Sequence, residues 1–499
     1  MELHDYSRMD ATDLKARLDQ NEINPAEVRD AALAAISQVD PHLGATVGPA
    51  LDPPPTYSTS GTFAGVPFAL KDLLCTAAGI PNENGSAATA GYVATRDSDL
   101  MGRWRAAGLA VTCRTATPEF GFNATTEPAV NGPTRNPWNP ERVAGGSSGG
   151  SAALVAAGAL PWAHANDAGG SIRIPAALCG VLGLKPTRGL VPPGPDSDEP
   201  LFGLTTEFAI TRTVRDAAAL LDVVHGSAPG DRYFQPRRSP GHYRRAAAQR
   251  PEGLRIAVSI DSPGGGPAAD TAVATEVARI ARLLEQFGGH VEYAAPDVDP
   301  ERFRDLNLTF WSASIAESMR ALTGGCGIEV VYLALESSTA AMVRHGFTLR
   351  WADIARARHY QNHLTRSTAN FFESFDLTLT PTTASTAWPI GELDSNRTGI
   401  TADEWGDTLA RYAPFTAIYN VTGQPAISIP TGMFDGLPIG VQLAAAPGRE
   451  GLLLAVAAQL EEAIPWAGRV PPIYAGKPLL PRTNSARPST RKQIADEHP

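Results

Sequence analysis

The sequence predicts an α/β fold on three observations. Short apolar runs bounded by turn residues alternate with longer segments of helical periodicity. The 47 glycines and 42 prolines among 499 residues punctuate these elements rather than forming tracts, so their excess over average usage reflects dense turns, not low complexity. No internal repeat interrupts the order. Hydrophobic residues make up 43% and charged residues 19%, which excludes a disordered or membrane-embedded class. The length is ample for a large buried core.

Taken in order, helices are expected over 11–19 and 25–39, with Asp10 and Asn24 as N-caps and Pro25 at a first helical position. A turn at Gly65 enters a short buried strand that ends at Lys71-Asp72, and 109–113 reads as a second strand. Between 123 and 150 the chain is turn-rich, and 151–159, dominated by Ala and Leu, reads as a buried helix. Long loops are expected near 191–200 and 227–243. An amphipathic helix over 276–287 precedes a strand over 290–293, and 304–322, 328–345 and 348–372 read as three consecutive helices. Strands over 377–380 and 426–429 and a helix over 450–463 follow. The polar tail 482–499 is expected to fray.

The formal charge of −10 argues against a surface built to neutralise phosphates, and so against a nucleic-acid partner. Cys75, Cys113, Cys179 and Cys326 lie far apart, which gives neither a disulfide framework nor a zinc ligand set. The N-terminus shows no basic stretch leading into an apolar one. The uncharged stretches 143–166 and 414–434 are cut by Gly, Ser and Pro and do not read as membrane spans. A soluble cytoplasmic protein is therefore expected.

Two glycine–serine elements could carry chemistry. Gly145-Gly146-Ser147-Ser148-Gly149-Gly150, just before the helix-like 151–159, would gather backbone N–H groups and small hydroxyls. It lacks the lysine of a phosphate-binding loop. It matches G-x-S-x-G, but Pro137 to Arg142 cannot form the strand that a nucleophile elbow requires. In Asn166-Asp167-Ala168-Gly169-Gly170-Ser171, two glycines before a serine let amides converge as an oxyanion hole requires. Each element could equally be a tight structural turn. A serine nucleophile needs a base. His164 lies on an apolar run and reads as a core residue. Lys71, at a strand end in apolar surroundings, becomes a base if desolvation lowers its pKa by several units. His359 and His363 have i, i+4 spacing, but Tyr360 replaces the glutamate of a zinc helix, so a plain helix face is favoured.

Together these pieces resemble the amidase signature family of serine amide hydrolases, which uses a Ser–Ser–Lys triad with a cis peptide bond before one serine. The family's strand-end Lys-Asp matches Lys71-Asp72, its cis-serine matches Ser147 and its Asp-x-Gly-Gly-Ser nucleophile matches Ser171. The resemblance implies an α/β amidase signature fold, a mixed central sheet flanked by helices on both faces. It also implies that the backbone N–H groups of Ala168, Gly169, Gly170 and Ser171 form the oxyanion hole, that Ser148, Asp167 and Arg173 support the site, and that no metal or organic cofactor is needed. It continues through 173–187 and 420–426, with a family-like core over about 60–225 and 411–470 and a more variable helical part over 226–410, within one domain over 1–481.

The sequence also departs from the family pattern. Asn166 stands where many members have Thr, and Thr187-Arg188-Gly189 replaces a Thr-Tyr/Phe-Gly. The Ser-Leu-Asp-x-Ile-Gly element of tRNA-amidating amidotransferase subunits is missing after Lys185-Pro186-Thr187, which lowers that alternative. Segments at 125–128, 134–139 and 164–167 look most like the family's nylon-oligomer amidases, and aryl amides, carbamates and esters are alternative substrates. Phe120, Asn123, Thr125, Phe202, Phe310, Trp311 and Ile418 are candidate walls of a pocket for a small-molecule amide or carbamate. A homodimer is left open, and no seam is legible.

Overall fold

The computed structural model describes residues 1–323 and 332–479. The expectations for 328–331, Cys326 and the tail 482–499 lie outside the described residues.

Eleven strands are described, in two sheets. A small sheet holds β1 (Thr46–Val47), β2 (Pro67–Lys71) and β3 (Ala110–Thr115) in the order β1-β3-β2, with β2 parallel to β3. The large sheet comprises β4 (Trp162–Asp167), β5 (Leu182–Lys185), β6 (Thr206–Thr211), β7 (Arg255–Val258), β8 (His290–Tyr293), β9 (Leu377–Pro381), β10 (Ala426–Phe434) and β11 (Leu437–Ala444). Its order is β4-β6-β5-β10-β11-β9-β7-β8. The pairs from β4 to β9 are antiparallel and those among β9, β7 and β8 are parallel. The sheet is therefore mixed, as expected.

The sheets meet along β2 and β4 through side chains. Trp162 Nε1 donates to the Pro67 carbonyl at 3.0 Å, and the Lys71 backbone N–H donates to His164 Nδ1 at 3.1 Å. β4 escaped the sequence reading because both of its faces are buried and one is polar. His164, Asn166 and their neighbours interrupt the apolar run that marks an ordinary buried strand.

Helix starts follow capping chemistry. Asp10 accepts from the Asp13 N–H, and Asn24 closes a capping box with Glu27 ahead of Pro25–Leu43, which ends at Gly44 in the left-handed region. The helix expected over 151–159 runs over Gly149–Ala156. The one over 328–345 corresponds to Ser337–Thr348 among the described residues. The largest apolar cluster packs β2 to β6 against Pro25–Leu43, Gly149–Ala156, Val214–Val224 and Glu450–Ala463. A second cluster, with Phe122, Ile174, Met342 and Trp405, lies beside the cavity described next.

Candidate active site

Lys71 closes β2 and is wholly buried. Its Nζ lies 2.7 Å from Ser147 Oγ and 2.6 Å from Asn166 Oδ1. Burial pushes its pKa down to about 7, partly opposed by the charges of Glu207 and Asp167.

Ser147 is carried by the loop that leads into Gly149–Ala156, and the Gly146–Ser147 peptide bond is cis. Thr126 anchors this loop, donating from Oγ1 to the Gly145 carbonyl at 2.9 Å and accepting from the Gly149 N–H at 3.1 Å. Position 146 must be glycine, because a Cβ there would stand 2.3 Å from the Thr125 carbonyl oxygen. Thr125 therefore packs its backbone under the loop and does not line the cavity. Ser148 ties the loop to the end of β4, with its N–H donating to the Ser171 carbonyl at 3.2 Å and its Oγ to the Asn166 carbonyl at 3.3 Å.

The turn after β4 is organised by Asp167. Its carboxylate accepts from the Gly170 N–H at 2.7 Å, the Ile172 N–H at 3.1 Å, the Arg173 guanidinium at 2.8 and 2.9 Å and Asn420 Nδ2 at 2.9 Å. Burial alone would raise the Asp167 pKa, but Arg173 and Asn420 outweigh it and hold the carboxyl well below its usual range. Arg173 also donates to Gln442 Oε1 and the Thr416 carbonyl, so the helix Arg173–Cys179 is pinned at its first residue. The sequence reading missed Asn420 and Gln442, which lie some 250 residues from Asp167; only the resemblance at 420–426 pointed near one of them.

One expectation needs correction: the Gly170 N–H is committed to Asp167 and is not free to meet an oxyanion. The N–H groups of Ala168, Gly169 and Ser171 have no acceptor among the described residues.

Ser171 borders a cavity of about 580 Å³ whose walls include Phe122, Asn123, Ile174, Leu308 and Trp311. Of the candidate wall residues, Asn123 and Trp311 are found there. Phe120, Thr125, Phe202, Phe310 and Ile418 are not. Phe310 and Ile418 are buried in a separate apolar cluster where Phe202 stacks on Phe310 at 4.6 Å, and Phe120 packs in the cluster behind the wall. For Phe310 the reason is helical phase. On Pro300–Leu322 the cavity side is Phe303, Arg304, Asn307, Leu308 and Trp311, and Phe310 lies about 100° around the axis from Trp311. At the mouth Arg304 bridges to Asp407 at 2.6 Å and Asp403 at 2.8 Å on the helix Ala402–Tyr412.

His164 is a core residue, buried between the Lys71 backbone and Glu207, whose Oε2 lies 2.6 Å from its Nε2. His359 and His363 are exposed on one helix. Among the described residues no group of three or more His, Cys, Asp or Glu is placed to hold a metal ion, and no helix is long and apolar enough to cross a membrane.

Comparison with known proteins shows the family. The Amidase family matches residues 49–454. The 6-aminohexanoate-cyclic-dimer hydrolase of Pseudomonas sp. (strain NK87) is 39% identical over 480 residues, covering 93% of this chain and 96% of its own. A solved structure of 6-aminohexanoate cyclic dimer hydrolase with substrate superposes with a TM-score of 0.86 at 38% identity, covering 94% of this chain and 99% of the other. A bacterial aryl acylamidase superposes with a TM-score of 0.81 at 27% identity, covering 92% and 99%. With most of its length matched both in sequence and in fold, the chain belongs to the Amidase family, the amidase signature enzymes, and is an amide hydrolase of non-peptide C–N bonds.

Proposed function

We propose that Ser171 is the acylating nucleophile, Ser147 the proton relay and Lys71 the base of this hydrolase. The observation that carries the reading is the buried contact between Lys71 Nζ and Ser147 Oγ, 2.7 Å long, in a loop whose next residue, Ser148, donates its N–H to the carbonyl of Ser171 on the cavity wall. With its pKa brought down to about 7 by burial, the amine is neutral in a large fraction of molecules near neutral pH. The Ser147 proton passes to Nζ as Ser147 Oγ takes the proton of Ser171. Ser171 Oγ then bonds to the amide carbon, and the carbonyl oxygen becomes an oxyanion facing the Ala168, Gly169 and Ser171 N–H groups. Collapse breaks the C–N bond while the relay returns the proton to the departing amine. Water then attacks the acyl ester by the same path and frees Ser171.

The substrate proposed is a 6-aminohexanoate oligomer or a similar linear or cyclic amide. The similarity to the cyclic-dimer hydrolases supports it, as does a cavity whose inner walls are apolar. Aryl amides are the second reading, favoured by the aryl acylamidase likeness. Two experiments test these proposals. A fluorophosphonate should label one serine, mapped to Ser171, and a label elsewhere would remove the nucleophile assignment. Turnover of the pure protein on cyclic and linear 6-aminohexanoate dimers, p-nitroanilides, carbamates and glutamine should favour the dimers; turnover of p-nitroanilides alone would replace the first substrate reading with the second.

A further inference from the structure

We propose that Asn166 is a positioning residue for Lys71: its side-chain carbonyl fixes where the lysine lone pair points, and its neutrality keeps the amine able to act as a base. The proposal rests on the Ser171–Ser147–Lys71 reading above.

Asn166 is buried near the end of β4, where it pairs in register with Glu207. Its Nδ2 donates to the Leu73 carbonyl at 3.1 Å. That carbonyl can only accept, so the amide cannot turn over without setting two oxygens face to face. Oδ1 is thereby aimed at Lys71 Nζ, 2.6 Å away. An amide oxygen is also only an acceptor, so the contact commits one N–H of the amine. The second polar neighbour is Ser147 Oγ at 2.7 Å. With one N–H held by Asn166, the lone pair of the neutral amine can address the Ser147 hydroxyl and receive its proton. After that transfer the ammonium keeps the bond to Asn166 and gains one to the Ser147 oxygen. Asn166 thus serves both protonation states without moving.

Nζ touches no charged atom among the described residues. Glu207 and Asp167 act on the amine through their charge without touching it, although one oxygen of Glu207, Oε1, has no hydrogen-bond partner among the described residues. On β4, Asp167 is paired with Arg173, and His164 lies between the Lys71 backbone and Glu207 of β6. On β3, Arg114 is paired with Asp72 and Glu83. The atoms in hydrogen-bond contact with Nζ are the uncharged Ser147 and Asn166. A carboxylate in place of the Asn166 amide, nearly identical in shape, would bring a full negative charge against Nζ and hold the lysine protonated.

The test is the rate at which a fluorophosphonate labels Ser171, measured against pH, in the wild type, Asn166→Asp, Asn166→Leu and Lys71→Ala. The wild-type rate is expected to rise through pH about 7. Asn166→Asp should shift that rise upward by at least about one pH unit, making labelling at least about fivefold slower at pH 7 with recovery at high pH. Asn166→Leu should slow labelling at every pH without recovery, because the amine is no longer oriented. Thermal melting identifies folded variants, and the near-isosteric aspartate variant carries the test should the leucine variant not fold. A wild-type pH profile in Asn166→Asp, or a wild-type rate in folded Asn166→Leu, would overturn the proposal while leaving the triad intact. A wild-type rate in Lys71→Ala would instead remove the triad reading itself.

Discussion

Lys71 is wholly buried and no charged atom touches its amine, so the cost of desolvating the ammonium dominates its pKa. In the proposed mechanism neutral lysine is the working form, so activity should rise as pH rises through about 7 and fall below it. A kcat/KM profile from pH 5 to 9 checks this; a flat profile across pH 7 would contradict it. Lys71→Ala should lower kcat by about 10²–10⁴-fold, the range of a lost general base. Arg173 raises a different question, one of stability. It is fully buried against Asp167, and Arg173→Ala would strand a buried carboxylate, at a cost of about 3–5 kcal/mol. The sign with pH follows. In the wild type the depressed Asp167 pKa contributes stability above the unfolded carboxyl range, lost only as pH falls through the folded value. Without Arg173, burial raises that pKa, so acid unfolding should begin at higher pH, as urea titrations across pH would report. At this scale Lys71, Ser147 and Ser171 were legible as candidates because glycine–serine motifs and a strand-end lysine leave local marks. Most of the candidate wall residues were misplaced, because whether Phe310 or Trp311 faces the cavity depends on the rotation of a helix, which no local motif records.

Among the elements, the loop ahead of Gly149–Ala156 tolerates no added atom. Gly146→Ala should press a methyl group onto the Thr125 carbonyl and cost about 1–3 kcal/mol as overpacking. It should also displace Ser147 and lower kcat more than it raises KM. Unfolding curves and steady-state kinetics on one preparation check both, and wild-type kinetics would show that the loop yields. The two helices at the cavity mouth behave differently. The ion pairs of Arg304 with Asp403 and Asp407 are partly solvent-exposed, so Arg304→Ala should change stability by no more than about 1 kcal/mol. It should alter KM for bulky amides several-fold with kcat little changed. A shift in kcat with constant KM would count against a role at the mouth. Elements with strong periodicity or caps, such as Ala11–Asp19 and Pro25–Leu43, could be read from sequence to within a few residues. β4 could not, because its polar residues find partners only after β2 and β6 are in place.

Across the whole molecule, segments distant in sequence hold one another. Tyr6 is buried and donates to the Ala159 carbonyl at 3.0 Å, Tyr474 donates to the Ser7 carbonyl at 2.5 Å, and the Ala475 N–H donates to the Ala157 carbonyl at 2.8 Å. Both ends of the described chain therefore clamp the helix that follows Ser147. Tyr6→Ala should cost about 3–5 kcal/mol, as for a buried aromatic, and lower the melting temperature without touching the cavity; an unchanged melt would mean the clamp contributes little. The α/β class and the mixed sheet were legible from the order of elements, but strand order was not, because β5 reaches β10 across more than 200 residues. One arrangement has a consequence for how such a protein changes over time. The residues proposed to break the bond are carried by 71–171, while much of the cavity wall comes from 300–311 and 403–417. Mutations can therefore remodel what is accepted while leaving the bond-breaking apparatus as it stands, so new substrates can be acquired by drift in one stretch of the gene under purifying selection on another.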